Sequence, residues 1–272
     1  MKLGYATPLD TLVTLPRSCE VAADAGFDFL EFPLAPLGLL EGGHQEAVSV
    51  LRSLPLPCLV AQSFLPRGLP LTGPDVDQAR VRTYLSLAAA LCHAVGARKA
   101  VFGAAWSRNV PDGWDRDRAR DQLLQAFSWT AEAFEGSGCV VGIEPQNIKE
   151  ANIVRTLSEA VGYAAEVNHD AIRVAVDSYH LVEERTPLTE IGAYRDWILH
   201  VQIADSGRQR PGAGSYDFAE LAPGVGVHRL RRHPLGRGHA STQRRRDRRQ
   251  RRFPPRSLAL KTRSRSGSSL SL

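Results

Sequence analysis

The sequence predicts an α/β fold, a parallel (β/α)8 barrel of the TIM type that is incomplete, with about seven βα units. Seven short apolar runs alternate with segments long enough to hold a helix, and such runs are typical of strands buried on both faces. The intervening segments carry no signals of antiparallel hairpins. A doubly wound open sheet is the alternative, but no G-x-G-x-x-G follows the first run. We therefore favour the barrel.

The elements follow in order along the chain. Strands are predicted at 2–6, 27–33, 58–64, 99–105, 139–144, 173–177 and 198–204. Helices are predicted near 16–26, 44–54, 74–96 and 115–135, from 156 onward, and around 188–193. Gly26 stands where the glycine just beyond a helix belongs. Thr156 and Glu159 form a T-x-x-E capping box. Residues 217–221 would begin the seventh helix.

The net charge divides the chain into two parts. From residue 223 to 272 there are 14 arginines, one lysine and a single acid, Asp247, so this segment has a net charge of +14 within a chain of +5. The part of the chain before residue 223 is correspondingly acidic, with a net charge of −9. We predict a barrel domain at 1–222 and an Arg-rich segment at 223–272 that is disordered or out of frame, because it lacks apolar periodicity.

Three interpretations of the Arg-rich segment remain open. It could be a nucleic-acid-binding arm, although Phe253 is its only aromatic residue and base stacking needs more. It could be a solvated extension without function. It could also result from a reading frame displaced near residue 222, where the barrel still needs a strand and two helices. We favour the displaced frame, and nucleic-acid binding is the least favoured of the three.

The cysteines and the apolar runs predict a location. The four cysteines show no regular spacing, so we expect buried free thiols in a reducing cytoplasm. The first ten residues contain no apolar core of a secretory signal. No apolar run approaches the ~18 residues that a membrane span needs. We therefore expect a cytoplasmic protein that does not contact membranes.

Three apolar runs end on or near an oxygen-bearing side chain. Glu144 closes the fifth run, Asp177 closes the sixth, and Gln202 lies near the end of the seventh. In a parallel barrel the carboxyl ends of all strands converge on one face, where active sites lie. Oxygen ligands suit a hard divalent cation such as Mg²⁺ or Mn²⁺. The sequence therefore predicts one divalent metal site there.

Three motifs extend this pattern, and the residues 1 to about 220 resemble the xylose-isomerase-like barrel family because of them. The motifs are E-P-x-N-x-x-E-x-N at 144–152, D-x-x-H at 177–180 and R-x-x-P-G-x-G at 208–214. The resemblance is to ketose 3-epimerases and hydroxypyruvate-isomerase-type enzymes in particular. It implies an isomerase or epimerase acting on a sugar, a sugar phosphate or a small hydroxy-keto acid.

The resemblance also implies a ligand set and a mechanism. Glu144, Asp177 and Gln202 would bind the metal together with a glutamate that ends the eighth strand. The epimerases usually have histidine at the position of Gln202, and His200, two residues earlier on the same strand, is a candidate substitute ligand. The metal would acidify a substrate C–H bond, and Glu144 would transfer the proton through an enediolate intermediate. Glu150, His180 and Arg208 would contact the substrate.

The eighth-strand glutamate is absent from the sequence, where the Arg-rich segment stands instead. We therefore expect an inactive or nearly inactive chain, with an open seam that also allows a homo-oligomer to form. Glu31, which ends the second strand, is a candidate pocket residue. Arg108, after the fourth strand, is a candidate for binding a substrate phosphate or carboxylate. A dehydroshikimate-type dehydratase is an alternative on the same fold, and a non-catalytic remnant with a nucleic-acid-binding tail is another.

Overall fold

The computed structural model describes residues 2–216, 218 and 269–271. Its strands form a closed barrel in chain order. They are β1 (Gly4–Ala6), β2 (Phe29–Pro33), β3 (Cys58–Gln62), β4 (Lys99–Phe102), β5 (Val140–Ile143), β6 (Ile172–Asp177), β7 (Ile198–Ile203) and β8 (Ser269–Ser271). β1 to β7 pair in parallel with their neighbours, which confirms the predicted barrel of about seven parallel units.

Helices cover the outside between the strands. They are α1 (Leu15–Asp24), α2 (His44–Ser53), α3 (Gln78–Val95), α4 (Ala105–Arg108), α5 (Arg116–Phe134), α6 (Leu157–Val167), α7 (Ser178–Glu183) and α8 (Glu190–Ala193). The short helices α4 and α7, which directly follow β4 and β6, were not predicted. None of the helices in the described part of the chain is long and apolar enough to cross a membrane.

Local sequence signals place several helix ends. The Thr156 side chain accepts a hydrogen bond from the backbone N–H of Glu159 at 3.1 Å, so the predicted cap begins α6. Asp77 and Asp115 cap α3 and α5 in the same way. Gly26 lies two residues beyond α1 with φ of 85°. Glycine adopts this left-handed conformation without steric cost.

The expected open seam between the first and seventh strands is wrong. β8 pairs antiparallel with both β1 and β7 and closes the barrel. Edge strands present unbonded N–H and C=O groups that an extended segment of either direction can satisfy, whatever its side chains. The rest of the predicted Arg-rich segment and the start of the predicted seventh helix lie outside the described residues, apart from Phe218.

The barrel interior is layered because residues two apart on a strand face the same side. One layer holds an apolar cluster of Phe29, Val60, Val101 and Ala175. The residues two positions further along β2 and β6 are Glu31 and Asp177, so polar side chains lie above the apolar layer. The larger core lies between the strands and the outer helices, and all four cysteines are buried there as free thiols.

Candidate active site

The predicted ligands gather at the carboxyl ends of β5, β6 and β7. Glu144 directly follows β5, Asp177 is the last residue of β6, and Gln202 is the fifth residue of β7. Asp177 and Gln202 are register partners in the sheet. All three side chains are buried, with 4–6% of each residue exposed. Strand geometry therefore delivers three oxygen-bearing side chains to one small volume.

Glu144, Asp177 and His180 form the tightest group. One potential ligand atom of each residue lies within 4.8 Å of the others, and all three are buried. Asp177 also begins α7, because its Oδ1 accepts the backbone N–H of Tyr179 at 2.9 Å. This cap fixes the carboxylate and places His180 one turn further along the helix. The D-x-x-H spacing is thus a strand end joined to a helix start.

Burial raises the pKa of Glu144 to about 8, and the nearby Asp177 carboxylate adds to the shift. Burial also raises the pKa of Asp177 to about 6, although Arg208 opposes the change. Two carboxyls in this low-dielectric space disfavour each other's charge. A cation placed between them would reverse both effects, since an opposite charge favours the ionised form.

The hydrogen bonds of His180 define its tautomer. The backbone N–H of Asn147 donates to His180 Nδ1 at 3.2 Å. Nδ1 is therefore an acceptor, and Nε2 carries the proton of the neutral ring, although Arg208 Nη2, which is also a donor, lies 3.3 Å from Nε2. The Asn147 amide agrees, because its Oδ1 accepts the N–H of Lys149 and its Nδ2 faces the ring at 2.9 Å. Burial, assisted by Arg208 and Arg108, lowers the pKa of His180 well below its usual value. His180 is therefore suited to donate from Nε2 to an oxygen, and is less suited to bind a metal.

Arg208 bridges two acids at the rim of the site. Its Nη2 lies 2.7 Å and 2.9 Å from the two carboxylate oxygens of Glu150, and its Nη1 lies 3.9 Å from Asp177 Oδ2. Its guanidinium stacks on the Tyr179 ring at 4.4 Å. The Arg208 side chain remains 45% exposed. The structure therefore brings Arg208 and Glu150 together beside the buried carboxylates.

Asp205 organises the loop that carries Arg208. Its carboxylate accepts the backbone N–H groups of Ser206, Gly212 and Tyr216 at 2.7–3.0 Å. Burial alone would raise the pKa of Asp205, but these backbone donors lower it. A Cβ at Gly214 would lie 2.3 Å from Asp205 Oδ1. The P-G-x-G turn is therefore a requirement of close packing around this carboxylate.

Arg108 has a different position from the one expected. It is fully buried, and its guanidinium donates to the backbone carbonyl of Glu144 at 2.9 Å and to Gln146 Oε1 at 3.0 Å. Burial lowers its pKa to about 10, although Glu144 opposes the change. The two terminal nitrogens of Arg108 thus hold the Glu144 segment from behind the strand ends, while its Nε has no hydrogen-bond partner among the described residues.

His200 and Glu31 lie deeper in the barrel. Glu31 accepts hydrogen bonds from His200 Nε2 and from Gln202 Nε2, the latter at 2.7 Å. The other ring nitrogen of His200, Nδ1, lies 3.5 Å from Lys99 Nζ. Both nitrogens of His200 thus face protein groups, which makes it a poor substitute ligand for a metal. Glu31 contacts Gln202 and does not belong to the group of Glu144 and Asp177.

The donor set fits a hard divalent cation. Two carboxylates and one amide oxygen would supply the oxygen ligands that such a cation prefers. The raised pKa values of Glu144 and Asp177 show that this site disfavours two bare negative charges. Glu144, Asp177 and Gln202 could therefore hold a divalent cation, with His180 and Arg208 beside it.

Several residues of the site were missed by sequence reasoning. Gly103 leaves the space that the Glu144 carboxylate fills, and Asp205 holds the Arg208 loop. Asn109 donates to the backbone carbonyl of Glu150 at 2.8 Å. Asn147, which contacts His180 Nδ1, was in contrast part of the E-P-x-N motif. Asp205 could have been recognised from the sequence, because it directly precedes the S-G-R segment that contains Arg208. The others depend on contacts between separate loops, which no local pattern reveals.

The fold and the site together define an α/β barrel of the kind in which strand-end side chains form an active site. The chain belongs to the xylose isomerase-like TIM barrel family, whose model matches residues 19–242. This confirms the family resemblance that the motifs at 144–152, 177–180 and 208–214 indicated.

Curated relatives are sugar epimerases. The chain is similar to 3-dehydro-D-guloside 4-epimerase of Escherichia coli (strain K12), with 29% identity over 136 residues, which are 47% of this chain and 51% of the relative. It is also similar to D-psicose 3-epimerase of Enterocloster bolteae, with 31% identity over 107 residues, 39% of this chain and 35% of the relative. The matched regions thus span about half and about a third of these proteins.

Solved structures agree on the fold. Apo 3-keto-D-glucoside 4-epimerase from E. coli is 22% identical with a TM-score of 0.68, covering 82% of this chain and 86% of that protein. D-Allulose 3-epimerase from Methylomonas sp., solved in complex with D-allulose, is 23% identical with a TM-score of 0.70, covering 80% and 77%. At these identities the likeness establishes the barrel architecture.

Proposed function

We propose that the chain is a divalent-metal-dependent sugar isomerase or epimerase that works through an enediolate. The observation that carries this proposal is the buried group of Glu144, Asp177 and His180 within 4.8 Å at the strand ends. The adjacent Arg208–Glu150 pair supports it, because it places polar groups for hydroxyl recognition at the rim. The epimerase relatives favour a ketose over a sugar phosphate or a hydroxy-keto acid. The four buried thiols suit a cytoplasmic location.

Glu144, Asp177 and Gln202 would hold one Mn²⁺ or Mg²⁺ ion. When bound, such an ion polarises the oxygens of an α-hydroxy-carbonyl substrate and acidifies the C–H bond between them. The protein contribution is a fixed set of oxygen ligands in a buried space. Arg108 supports this set from behind by holding the backbone carbonyl of Glu144.

Glu144 is the proposed base. It would remove the proton from the carbon beside the substrate carbonyl and leave an enediolate. A cation beside Glu144 would favour its ionised form, which is the form that accepts a proton. His180 would donate its Nε2–H to a substrate oxygen that gains negative charge. Arg208 would bind a second oxygen and keep Glu150 oriented.

In the family that the chain resembles, a glutamate at the end of the eighth strand is the second acid/base group. β8 does not provide it, since its three residues are Ser269, Leu270 and Ser271. With Glu144 as the one assigned acid/base group, a proton can leave and return on the same face of the substrate carbon. Epimerisation requires delivery to the opposite face. We therefore expect proton exchange with solvent to be much faster than epimer formation.

The test is an isotope-exchange assay in D2O. The full chain with Mn²⁺ is incubated with D-fructose, D-allulose and D-tagatose, and NMR follows both C–H loss and new epimers. We expect metal-dependent deuterium incorporation that disappears with chelator and in Glu144→Gln, and little epimer. The exposed variant Glu20→Gln is the matched control, since its carboxylate pairs with Arg17 at the surface. Absence of both exchange and Mn²⁺ binding would overturn the proposal, and loss of water from a substrate would point to the dehydratase.

A further inference from the structure

Glu31 lies in the barrel interior directly beneath the ends of the strands and is fully buried. Its two oxygens accept from two residues of the same strand. Gln202 Nε2 donates to Oε2 at 2.7 Å, and His200 Nε2 contacts Oε1. These donors come from residues that lie far away in the chain. Glu31 therefore links β2 to β7 at the level of the predicted metal ligands.

The Lys99 contact defines the direction of the His200 hydrogen bond. Lys99 Nζ lies 3.5 Å from His200 Nδ1, and an ammonium group can only donate. Nδ1 is then the acceptor, so Nε2 bears the proton and donates it to Glu31. Burial lowers the pKa of Lys99, and the nearby Glu31 carboxylate opposes that change and favours the ammonium form. Glu31 thus functions as an acceptor at both oxygens.

This arrangement determines which way the Gln202 amide faces. The two ends of an amide have nearly the same shape, and only the oxygen can bind a cation. Because both oxygens of Glu31 accept, the amide nitrogen must be the end that faces Glu31. The oxygen is the end left for the space beside Asp177, the register partner of Gln202.

We propose that Glu31 is a positioning residue that turns the Gln202 amide oxygen toward the cation held by Glu144 and Asp177. The inference rests on the proposed function, since it assumes a cation at these residues. It adds a set of buried polar partners to the ligands, in which Lys99 orients His200, and His200 and Gln202 are both oriented by Glu31. Partners of this kind usually affect metal affinity by about 10–100-fold.

The test is Mn²⁺ binding to the full chain, measured by calorimetry and by the electron paramagnetic resonance of free Mn²⁺. Glu31→Gln has the same shape but presents an amide nitrogen in place of one oxygen. We expect it to weaken Mn²⁺ binding about 10–100-fold. The exposed variant Glu20→Gln should bind as the unmodified chain does.

A double-mutant cycle with Gln202→Ala separates positioning from plain electrostatics, because Glu31→Gln also removes a negative charge. If Glu31 acts through Gln202, Glu31→Gln has little further effect when Gln202 is already alanine. An equal loss of affinity in both backgrounds would overturn the inference and assign a direct charge effect. Unchanged binding by Glu31→Gln alone would also overturn it.

Two further variants keep the inference testable, one as a rescue of binding and one as a substitute if Glu31→Gln does not fold. The exchange Glu31→Gln with Gln202→Glu restores an oxygen at position 202 in either orientation, and we expect it to recover binding. If Glu31→Gln fails to fold, Glu31→Asp keeps the charge but withdraws the oxygen from Gln202, and should show the same weakening. Failure of the unmodified chain to bind Mn²⁺ would instead refute the proposed function. This result differs from failure of the Glu31 inference, in which the unmodified chain binds Mn²⁺ and Glu31→Gln binds it equally well.

Discussion

Gly103 leaves the space in which the Glu144 carboxylate sits. A Cβ built at Gly103 would lie 2.2 Å from Glu144 Oε2 and 3.1 Å from Gln146 Nε2. Gly103 directly follows β4, and Glu144 directly follows the neighbouring strand β5. The two strand ends therefore approach so closely that a side chain on one excludes the functional side chain on the other.

Gly103→Ala should remove Mn²⁺ binding while the fold survives. The atom that a new methyl group would meet is the end of a flexible side chain, so Glu144 can rotate away at a cost of about 1–3 kcal/mol. Calorimetric titration with Mn²⁺ and thermal unfolding together check this. Gly162→Ala is the control, because a Cβ there meets nothing within 4 Å and alanine suits the α6 helix. Normal Mn²⁺ affinity in Gly103→Ala would show that Glu144 is not a ligand.

Arg108→Met should destabilise the protein by about 2–4 kcal/mol, because buried carbonyl and amide oxygens lose a charged donor. Arg108 is fully buried and bonds Glu144 and Gln146 at 2.9–3.0 Å. Denaturant unfolding gives the free energy directly. Arg98 is exposed. The control Arg98→Met should therefore change the unfolding free energy by no more than about 0.5 kcal/mol. If the unfolding free energy of Arg108→Met is unchanged and substrate affinity falls, Arg108 is a substrate ligand after all.

The sequence predicted the parts of the site that depend on strand periodicity. Glu144, Asp177 and Gln202 end apolar runs, and a parallel barrel brings such ends together whatever the loops do. The Thr156 cap and the Gly26 turn are likewise local signals. These features follow from patterns within a few residues.

The remaining features depend on contacts between distant segments. Whether Arg108 faces solvent or the interior is decided by a loop path, and its position in the sequence suits both. The Glu31–Gln202 bond joins β2 and β7, and nothing near either residue indicates its partner. β8 closes the barrel by pairing with the backbones of β1 and β7, which lie far from it in the chain, and local patterns do not reveal such a pairing.

Arg208→Ala should weaken ketose binding at least tenfold and strengthen Mn²⁺ binding. Sugar binding weakens because the sugar loses the Arg208 guanidinium as a hydrogen-bond donor at the rim. Mn²⁺ binding strengthens because the positive charge of Arg208, 3.9 Å from Asp177 Oδ2, no longer repels a cation beside that carboxylate. Stability should fall by less than about 1 kcal/mol, since the ion pair with Glu150 is half-exposed. Titrations at pH 8.5 measure both affinities, with Arg195→Ala as the surface control. Unchanged sugar affinity would remove Arg208 from the binding site.

Removal of residues 269–272 should open the barrel. β1 and β7 would then present unbonded edges, and we expect increased self-association and faster amide exchange at Ala6 and Ile203. Light scattering after gel filtration and hydrogen–deuterium exchange measure these effects. Ser269→Ala with Ser271→Ala keeps the backbone pairs and should behave as the full chain. A truncated monomer with unchanged exchange would show that β8 does not close the barrel in solution.

The stability of the metal-free protein should fall as pH rises. Burial raises the pKa of Glu144 from 4.5 to about 8 and that of Asp177 from 3.8 to about 6, so the native state holds more protons than the unfolded state between these values. The stabilisation is complete below about pH 4 and is lost as pH passes through the native pKa values, at up to about 1.4 kcal/mol per pH unit for each group. Urea unfolding from pH 5 to 8.5 measures the slope.

Glu144→Gln should flatten this dependence above pH 6, where Glu144 alone still titrates, and Glu20→Gln should leave it unchanged. Saturating Mn²⁺ should restore the stability lost at high pH, by about 2.7 kcal/mol at a concentration one hundred times the dissociation constant. The restoration should grow with pH, because the ion competes with the proton for Glu144. A Mn²⁺ effect that is the same at pH 5.5 and pH 8.5 would mean that the ion binds elsewhere.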